Sequence, residues 1–250
     1  MIDIHCHILP GIDDGAKTIE DSLEMLKKAK LSGVTDIVLT PHYMWGTVYN
    51  ADNVKKWKLY QELCELADKE NLGINLYLGN EIYIDERLPK MLKAYTGEPI
   101  DEDEKKAIYE LATLNSTKYV LVEFPVQVED KSAKRILSEL VKMGLKPIIA
   151  HPERYLYIQQ DISKMDEYVQ IGCLLQGDYL ALTGKYGRMA EKTLRLMLKK
   201  DMVFCLASDL HKPVDDYKLK FAKKKLLRVI KSPEKMKMLL VDNPKLVITR

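Results

Sequence analysis

Residues 119–154 read YVLVEFPVQVEDKSAKRILSELVKMGLKPIIAHPER. Two short apolar runs, Tyr119–Glu123 and Lys146–Ala150, flank a segment expected to be helical over Lys131–Met143. Strand, helix and strand in this spacing make a βαβ unit. The strand runs are continuously apolar rather than alternating, as in a parallel sheet covered on both faces. The unit recurs outward in both directions. Strands are expected at Ile2–His5, Asp36–Thr40, Ile74–Leu78, Cys173–Gln176 and Val203–Ala207. Helices are expected at about Asp52–Glu70, Ser163–Gln170, Tyr186–Lys200 and Tyr217–Ile230. A further helix starts at Thr18, an N-cap with Asp21 three positions on, and ends at Gly33. About seven strands alternating with helices suit an irregular β/α barrel, and the whole chain, residues 1–250, reads as one domain. An open doubly wound sheet is the alternative. No glycine-rich dinucleotide loop or P-loop follows the first strand. Residues 83–118 read as an insertion or an extra helical segment, with Asp101–Glu104 starting a helix.

Composition excludes several classes. Hydrophobic residues make up 46% and charged residues 30%, with a formal net charge of +2. That balance demands neither nucleic acid nor a membrane. No apolar run approaches the ~20 residues of a membrane span. The start, MIDIHCHILPG, lacks a basic region followed by an apolar one, so a cytoplasmic location is expected. Cys6, Cys64, Cys173 and Cys205 form no CxxC pair and read as small buried residues. None has an arginine five residues later, as a cysteine-based phosphatase loop requires. Residues 218–237 are rich in Lys and Arg, with Glu234 their only acid. They read as a solvated helix face, or alternatively as a patch for acidic segments of a partner.

The polar residues fall at telling places. His5 and His7 close the first strand and His42 follows the second. Glu81 follows the third, and Glu123 and His151 end the fourth and fifth. Asp209 and His211 follow the seventh, and Asp14 lies in the loop after the first. The carboxyl ends of parallel strands converge on one face of a barrel, where catalytic groups gather. In His5-Cys6-His7 the two imidazoles share a side and Cys6 points away into packing. Those five histidines are all that the chain has. Four carboxylates on the same face would be costly without cations. Nine nitrogen and oxygen ligands suit two or three ions with one bridging carboxylate. Imidazole with carboxylate and no thiolate suits Mn, Fe or Zn better than Mg, and Mn is the first choice. Three divalent ions, four carboxylates and a bridging hydroxide leave about one positive charge, which favours a phosphate dianion. Such ions, ~3.5–4 Å apart, can hold a nucleophile and phosphate oxygens together. Arg154, three residues past His151, is placed to bind phosphate with two parallel N–H donors. Arg154, His42 and Asp209 are the candidate catalytic residues.

These motifs together resemble the polymerase-and-histidinol-phosphatase (PHP) superfamily. The closer resemblance is to its bacterial tyrosine-phosphatase branch, associated with capsular and extracellular polysaccharide synthesis. The residues that carry it are MIDIHCHILPGIDDGAK, LTPHY, GNEIYI, VEFP, AHPERY, LLQG, LTGKYG, LASDLH and a terminal NPKLV, from one end of the chain to the other. The resemblance implies an irregular TIM-like barrel of seven β/α units with three divalent ions. It assigns His5, His7, Glu81 and Asp209 to one ion. Glu81 would bridge to a second, with Glu123 and His151. Asp14, His42 and His211 would hold the third. It also implies that a metal-bound hydroxide attacks phosphorus, that Arg154 contacts the phosphate, and that the substrate is phosphotyrosine in the tail of an autophosphorylating tyrosine kinase. Homo-oligomers are compatible with it, and no nucleic acid is expected. A small-molecule phosphatase, for histidinol phosphate or a nucleotide, is the competing enzyme. Two departures stand out. After SDLH the family continues with asparagine and a later substrate-contacting arginine; here the chain reads KPVDDYKLK, without arginine, and Lys212 or Lys218 would have to substitute. Gly177–Asp178 occupies the place of an asparagine-containing turn.

Overall fold

The computed structural model describes residues 1–44, 46–49, 53–88, 113–129, 131–213 and 217–250. In chain order the strands are β1 Ile2–Cys6, β2 Asp36–Leu39, β3 His42–Tyr43, β4 Asn75–Leu78, β5 Glu81–Tyr83, β6 Tyr119–Glu123, β7 Lys146–Ala150, β8 Leu174–Asp178 and β9 Cys205–Ala207. The helices are α1 Ile19–Leu31, α2 Asn53–Lys69, α3 Ala133–Lys142, α4 Leu156–Gln160, α5 Lys164–Ile171, α6 Gly187–Lys199, α7 Leu219–Ile230, α8 Pro233–Lys237 and α9 Asn243–Ile248. The helix expected to start at Asp101–Glu104 lies outside the described residues.

All strand pairs are parallel, in a three-stranded sheet β1-β2-β4 and a six-stranded sheet β3-β5-β6-β7-β8-β9. This is the βα alternation expected from the apolar runs, which are buried on both faces in β6 and β7. The strands expected at Asp36–Thr40 and Ile74–Leu78 are β2 and β4, and each is followed after a short break by a further strand, β3 and β5, that was not expected. Pro41 cannot donate to a ladder, so the second strand stops at Leu39 and resumes at His42. Gly79–Asn80 separate β4 from β5 in the next segment, although the Gly79 amide still donates to the Leu39 carbonyl. A Cβ on Gly79 would lie 2.6 Å from the Leu114 side chain, so the chain passes there only without one. The breaks carry His42 and Glu81 beyond the ends of β2 and β4, onto short strands that pair with each other.

Two helix ends follow the local chemistry directly. Thr18 and Asp21 form a complete capping box ahead of α1. Gly172, at φ +106°, ends α5 in the left-handed region. Gly177 is explained by packing: a Cβ there would meet Leu194 of α6 at 2.6 Å, so β8 and α6 approach through a bare backbone.

One core lies between strands and helices. A second, smaller one gathers Ile2 and Ile4, Val38, Leu121, Ile148, Cys205 and Ala207, with Leu114, Val247 and Ile248 against them. Cys6, Cys173 and Cys205 are buried and Cys64 is half-buried. Burial pushes the Cys173 thiol up to about 12 and raises the other three as well. In α7, Leu219, Ala222, Leu226 and Val229 face inward, while Lys220, Lys224 and Arg228 stand in solvent. The basic residues of α7 thus lie on its exposed side. Among the described residues no helix is long and apolar enough to cross a membrane.

Candidate metal centre

The nine expected ligands come together at the carboxyl ends of the strands. His5 Nε2 lies 3.2 Å from His7 Nε2, 3.3 Å from Glu81 Oε2 and 3.2 Å from Asp209 Oδ1. His7 Nε2 lies 3.4 Å from Glu81 Oε2 and 3.2 Å from Asp209 Oδ1. These four side chains are buried, and their donor atoms fall within 4.8 Å of one another. A second such group is His7, Asp14, His42 and His211, at the more open edge, and a third is His42, Glu81 and Glu123. His151 Nε2 sits 3.0 Å from Glu81 Oε1 and 3.7 Å from Glu123 Oε1. Glu81 thus touches four of the five histidines, His5, His7, His42 and His151. The groups differ in membership from the expected sets in three respects: His7 joins Asp14, His42 and His211, His42 joins Glu81 and Glu123, and His151 stands outside that last group.

Local backbone aims these side chains. The β1–β2 register slips between Asp3 and Cys6, a bulge that turns the strand end just where His5 sits. His151 and Asp209 adopt left-handed φ of 32° and 47°. Neither is glycine, and such backbone persists only where its surroundings over-determine it. A 3-10 turn, Pro152–Arg154, follows His151 directly and swings Arg154 back over the cluster. There its guanidinium pairs with Asp209 Oδ2.

Two orienting residues were not singled out from sequence. Asp13 Oδ2 accepts from His7 Nδ1 at 2.7 Å and from the His42 amide at 2.8 Å. Gln176 Oε1 lies 2.8 Å from His5 Nδ1. Each holds the far ring nitrogen and so presents Nε2 to the cluster, the role usual for groups behind metal-binding imidazoles. The available signals were an acid beside Asp14 and an amide inside the apolar run LLQG.

The charges report the same convergence. Burial alone would lower His5, but the Glu81 and Asp209 carboxylates outweigh it and raise the imidazole to about 9. His7 is also raised well above the usual imidazole range, burial being overcome chiefly by Asp13. Glu81 and Asp209, buried though they are, stay well below the usual carboxylate range because of His5. Glu123 is pushed up to about 8 by burial and then by Glu81. His151 and His211 are pushed down to about 4, by burial first and then by Arg154 and His7 respectively. Glu81 Oε2 and Asp209 Oδ1 are buried, and neither accepts a hydrogen bond of normal geometry among the described residues. Two unsatisfied buried carboxylate oxygens facing two imidazole nitrogens are the donor set a divalent cation completes. The residues present therefore fit such ions.

The departures in sequence can be located. Lys212 follows His211 directly and is exposed. Lys218 instead lines a crevice with Leu31 and Ser32 at the far end of α1.

Comparison with known proteins agrees with this geometry. The family described as capsular polysaccharide synthesis, CpsB/CapC, matches residues 1–249. The putative tyrosine-protein phosphatase CapC of Staphylococcus aureus is 35% identical over 84% of this chain and 77% of its own. The tyrosine-protein phosphatase YwqE of Bacillus subtilis is 33% identical over the same shares. The solved structures of YwqE and of Streptococcus pneumoniae CpsB are described as metal-dependent tyrosine phosphatases. A chain from that work superposes with a TM-score of 0.85 at 30% identity, over 99% of this chain and 94% of its own. A histidinol phosphate phosphatase of Lactococcus lactis shares the fold at 14% identity and a TM-score of 0.56, covering 92% of each chain. With its motifs matched from end to end and its strand-end cluster assembled, the chain belongs to the CpsB/CapC family of capsular polysaccharide synthesis.

Proposed function

We propose that the chain is a metal-dependent protein-tyrosine phosphatase of capsular or extracellular polysaccharide synthesis. One observation carries this: the buried convergence of His5, His7, Glu81 and Asp209, open at one side toward Asp14, His42 and His211. Three divalent ions are the proposed complement, with manganese the first choice on ligand type. In that reading His5, His7, Glu81 and Asp209 hold one ion, Glu81, Glu123 and His151 a second, and Asp14, His42 and His211 a third. The closeness of His7 to the last set and of His42 to the second supports shared ligands. Bound there, the ions supply Lewis acidity and a nucleophile drawn from water at neutral pH.

The chain's own groups do the rest. Arg154 stands at the rim with its side chain 25% exposed, and its fork can meet two phosphate oxygens. Asp209 serves on two sides, with Oδ1 in the cluster and Oδ2 against Arg154. His42 links the exposed Asp14 to the buried Glu81, 2.9 Å away. Asp13 and Gln176 keep protons on the outer nitrogens of His7 and His5. No thiol participates. Lys212 is the cation beyond His211 that we assign to the substrate, a point charge where an arginine would offer a fork.

Two finer readings accompany this one. The two sheets act as one irregular seven-stranded barrel in a single domain. Supporting it, the Asp209 amide donates to the His5 carbonyl, the Cys6–Leu210 bridge joins β1 to the chain after β9, and residues of both sheets share the smaller core. The substrate is a phosphotyrosine protein, proposed to be the tail of an autophosphorylating kinase in the cytoplasm.

The test is hydrolysis of phosphotyrosine peptides. We expect activity to survive alkylation of every cysteine, to fall more than about a hundredfold on chelation, and to return with manganese. Loss on alkylation with indifference to chelator would reject the proposal. A higher kcat/KM on histidinol phosphate would reassign the substrate.

A further inference from the structure

Arg154 is a long side chain doing a positional job, and something must hold its plane. The guanidinium carbon lies 4.6 Å above the ring centre of Tyr186. Tyr186 is half-buried and stands at the N-cap of α6, between Gly184 at φ +90° and Gly187 at φ +85°. Those two left-handed glycines let the chain double back after the 3-10 turn Tyr179–Thr183, which carries the tyrosine over to the Pro152–Arg154 turn. The tyrosine belongs to LTGKYG, a motif to which the cluster itself gives no role.

The other side of the arrangement is equally fixed. Glu153 Oε1 accepts from the Asp178 amide at 2.8 Å, tying the arginine's turn to the end of β8. Asp178 Oδ1 accepts from the Leu180 amide at 2.7 Å. The Asp178 charge reaches both Arg154 and Tyr186. The guanidinium is thus held by the Asp209 carboxylate through Nη1 and by the Tyr186 ring over which it lies. A flexible arginine loses much of its rotamer freedom when it is ordered. A stacked ring imposes that order before substrate arrives, and a pre-ordered fork binds phosphate more tightly for the same contacts.

We propose that Tyr186 is the positioning residue for Arg154: its ring sets the guanidinium plane at the rim of the metal cluster. This rests on the reading of Arg154 as the phosphate contact. A cation held over the ring engages its π face and not the hydroxyl, so phenylalanine can replace the tyrosine and an aliphatic side chain cannot.

The experiment is a double-mutant cycle on the manganese-loaded full chain. Arg154→Ala, Tyr186→Leu, Tyr186→Phe and the pair Arg154→Ala with Tyr186→Leu are compared, with Tyr186→Met standing in if the leucine variant is unstable. The readouts are KM and kcat on a phosphotyrosine peptide, inhibition by inorganic phosphate, and bound manganese. Tyr186→Leu is expected to raise the KM and the phosphate Ki about tenfold, with kcat within about threefold. Manganese content stays unchanged, and Tyr186→Phe recovers most of the phosphate affinity. In the Arg154→Ala background the leucine substitution adds nothing. Equal effects in both backgrounds, or an unchanged phosphate Ki in Tyr186→Leu beside a raised one in Arg154→Ala, would overturn the positioning role alone. An unchanged Ki in Arg154→Ala would overturn the phosphate contact and the positioning role with it.

Discussion

His7 illustrates how far one residue's role extends beyond its own chemistry. Its Nε2 is useful only while Nδ1 is held, and Asp13 does the holding at 2.7 Å. Asp13→Ala should lower manganese affinity about 10- to 100-fold with little change in the circular dichroism spectrum, measured by titration calorimetry. An affinity unchanged by that substitution would make Asp13 a purely structural acid. Protons make a second prediction. In the metal-free chain His5 keeps its proton up to about pH 9 and Glu123 up to about pH 8. A cation must displace both. Manganese binding should therefore release protons at pH 7 and tighten as the pH rises toward 9. Calorimetry in buffers of different ionisation enthalpy measures the release directly; zero net release contradicts these protonation states. Residue identity and strand-end position made His5, His7, His42, His151 and His211 legible in the sequence, and likewise the four acids. Asp13 and Gln176 were not, because an orienting group is defined by the ring nitrogen it faces, and that pairing spans 171 residues for Gln176.

At the level of elements, the apolar runs gave the parallel strands and the capping box gave the start of α1. The breaks at Pro41 and at Gly79–Asn80 were harder to see. Proline was visible as a stop, but not the resumption of pairing one residue later, since that depends on β3 and β5 meeting each other. The loop after β1 has a comparable hidden constraint. A Cβ on Gly15 would stand 2.1 Å from the His7 carbonyl oxygen and 2.6 Å from the His7 Cβ. Gly15→Ala must therefore push the loop or the strand end aside. We expect a loss of about 2–4 kcal/mol in denaturant unfolding, together with weaker manganese binding. Full stability in that variant would mean that the loop relaxes freely and that its approach to His7 is incidental.

For the whole molecule, the cluster is where stability and function are joined. Five imidazoles and four carboxylates crowd one end of the sheets, and cations that bind only the folded chain must stabilise it. Manganese at about one hundred times its dissociation constant should add about 2.7 kcal/mol per independent site, visible as a rise in Tm that chelator reverses. A Tm indifferent to both would mean that the cluster is stable without ions. The basic residues of α7 lie outside this economy, consistent with a solvated face.

The burial of the cysteines has one more consequence. Phosphatases that attack through a thiolate are switched off by peroxide, because the low-pKa sulfur that makes them nucleophilic also makes them oxidisable. Here three thiols are enclosed, all four are pushed toward the protonated form, and none serves the reaction. Such a protein would continue to remove phosphate during an oxidative burst that silences thiol-dependent counterparts. In a cell that carries both kinds, peroxide would shift the control of polysaccharide synthesis toward the enzyme whose reaction does not run through a thiolate.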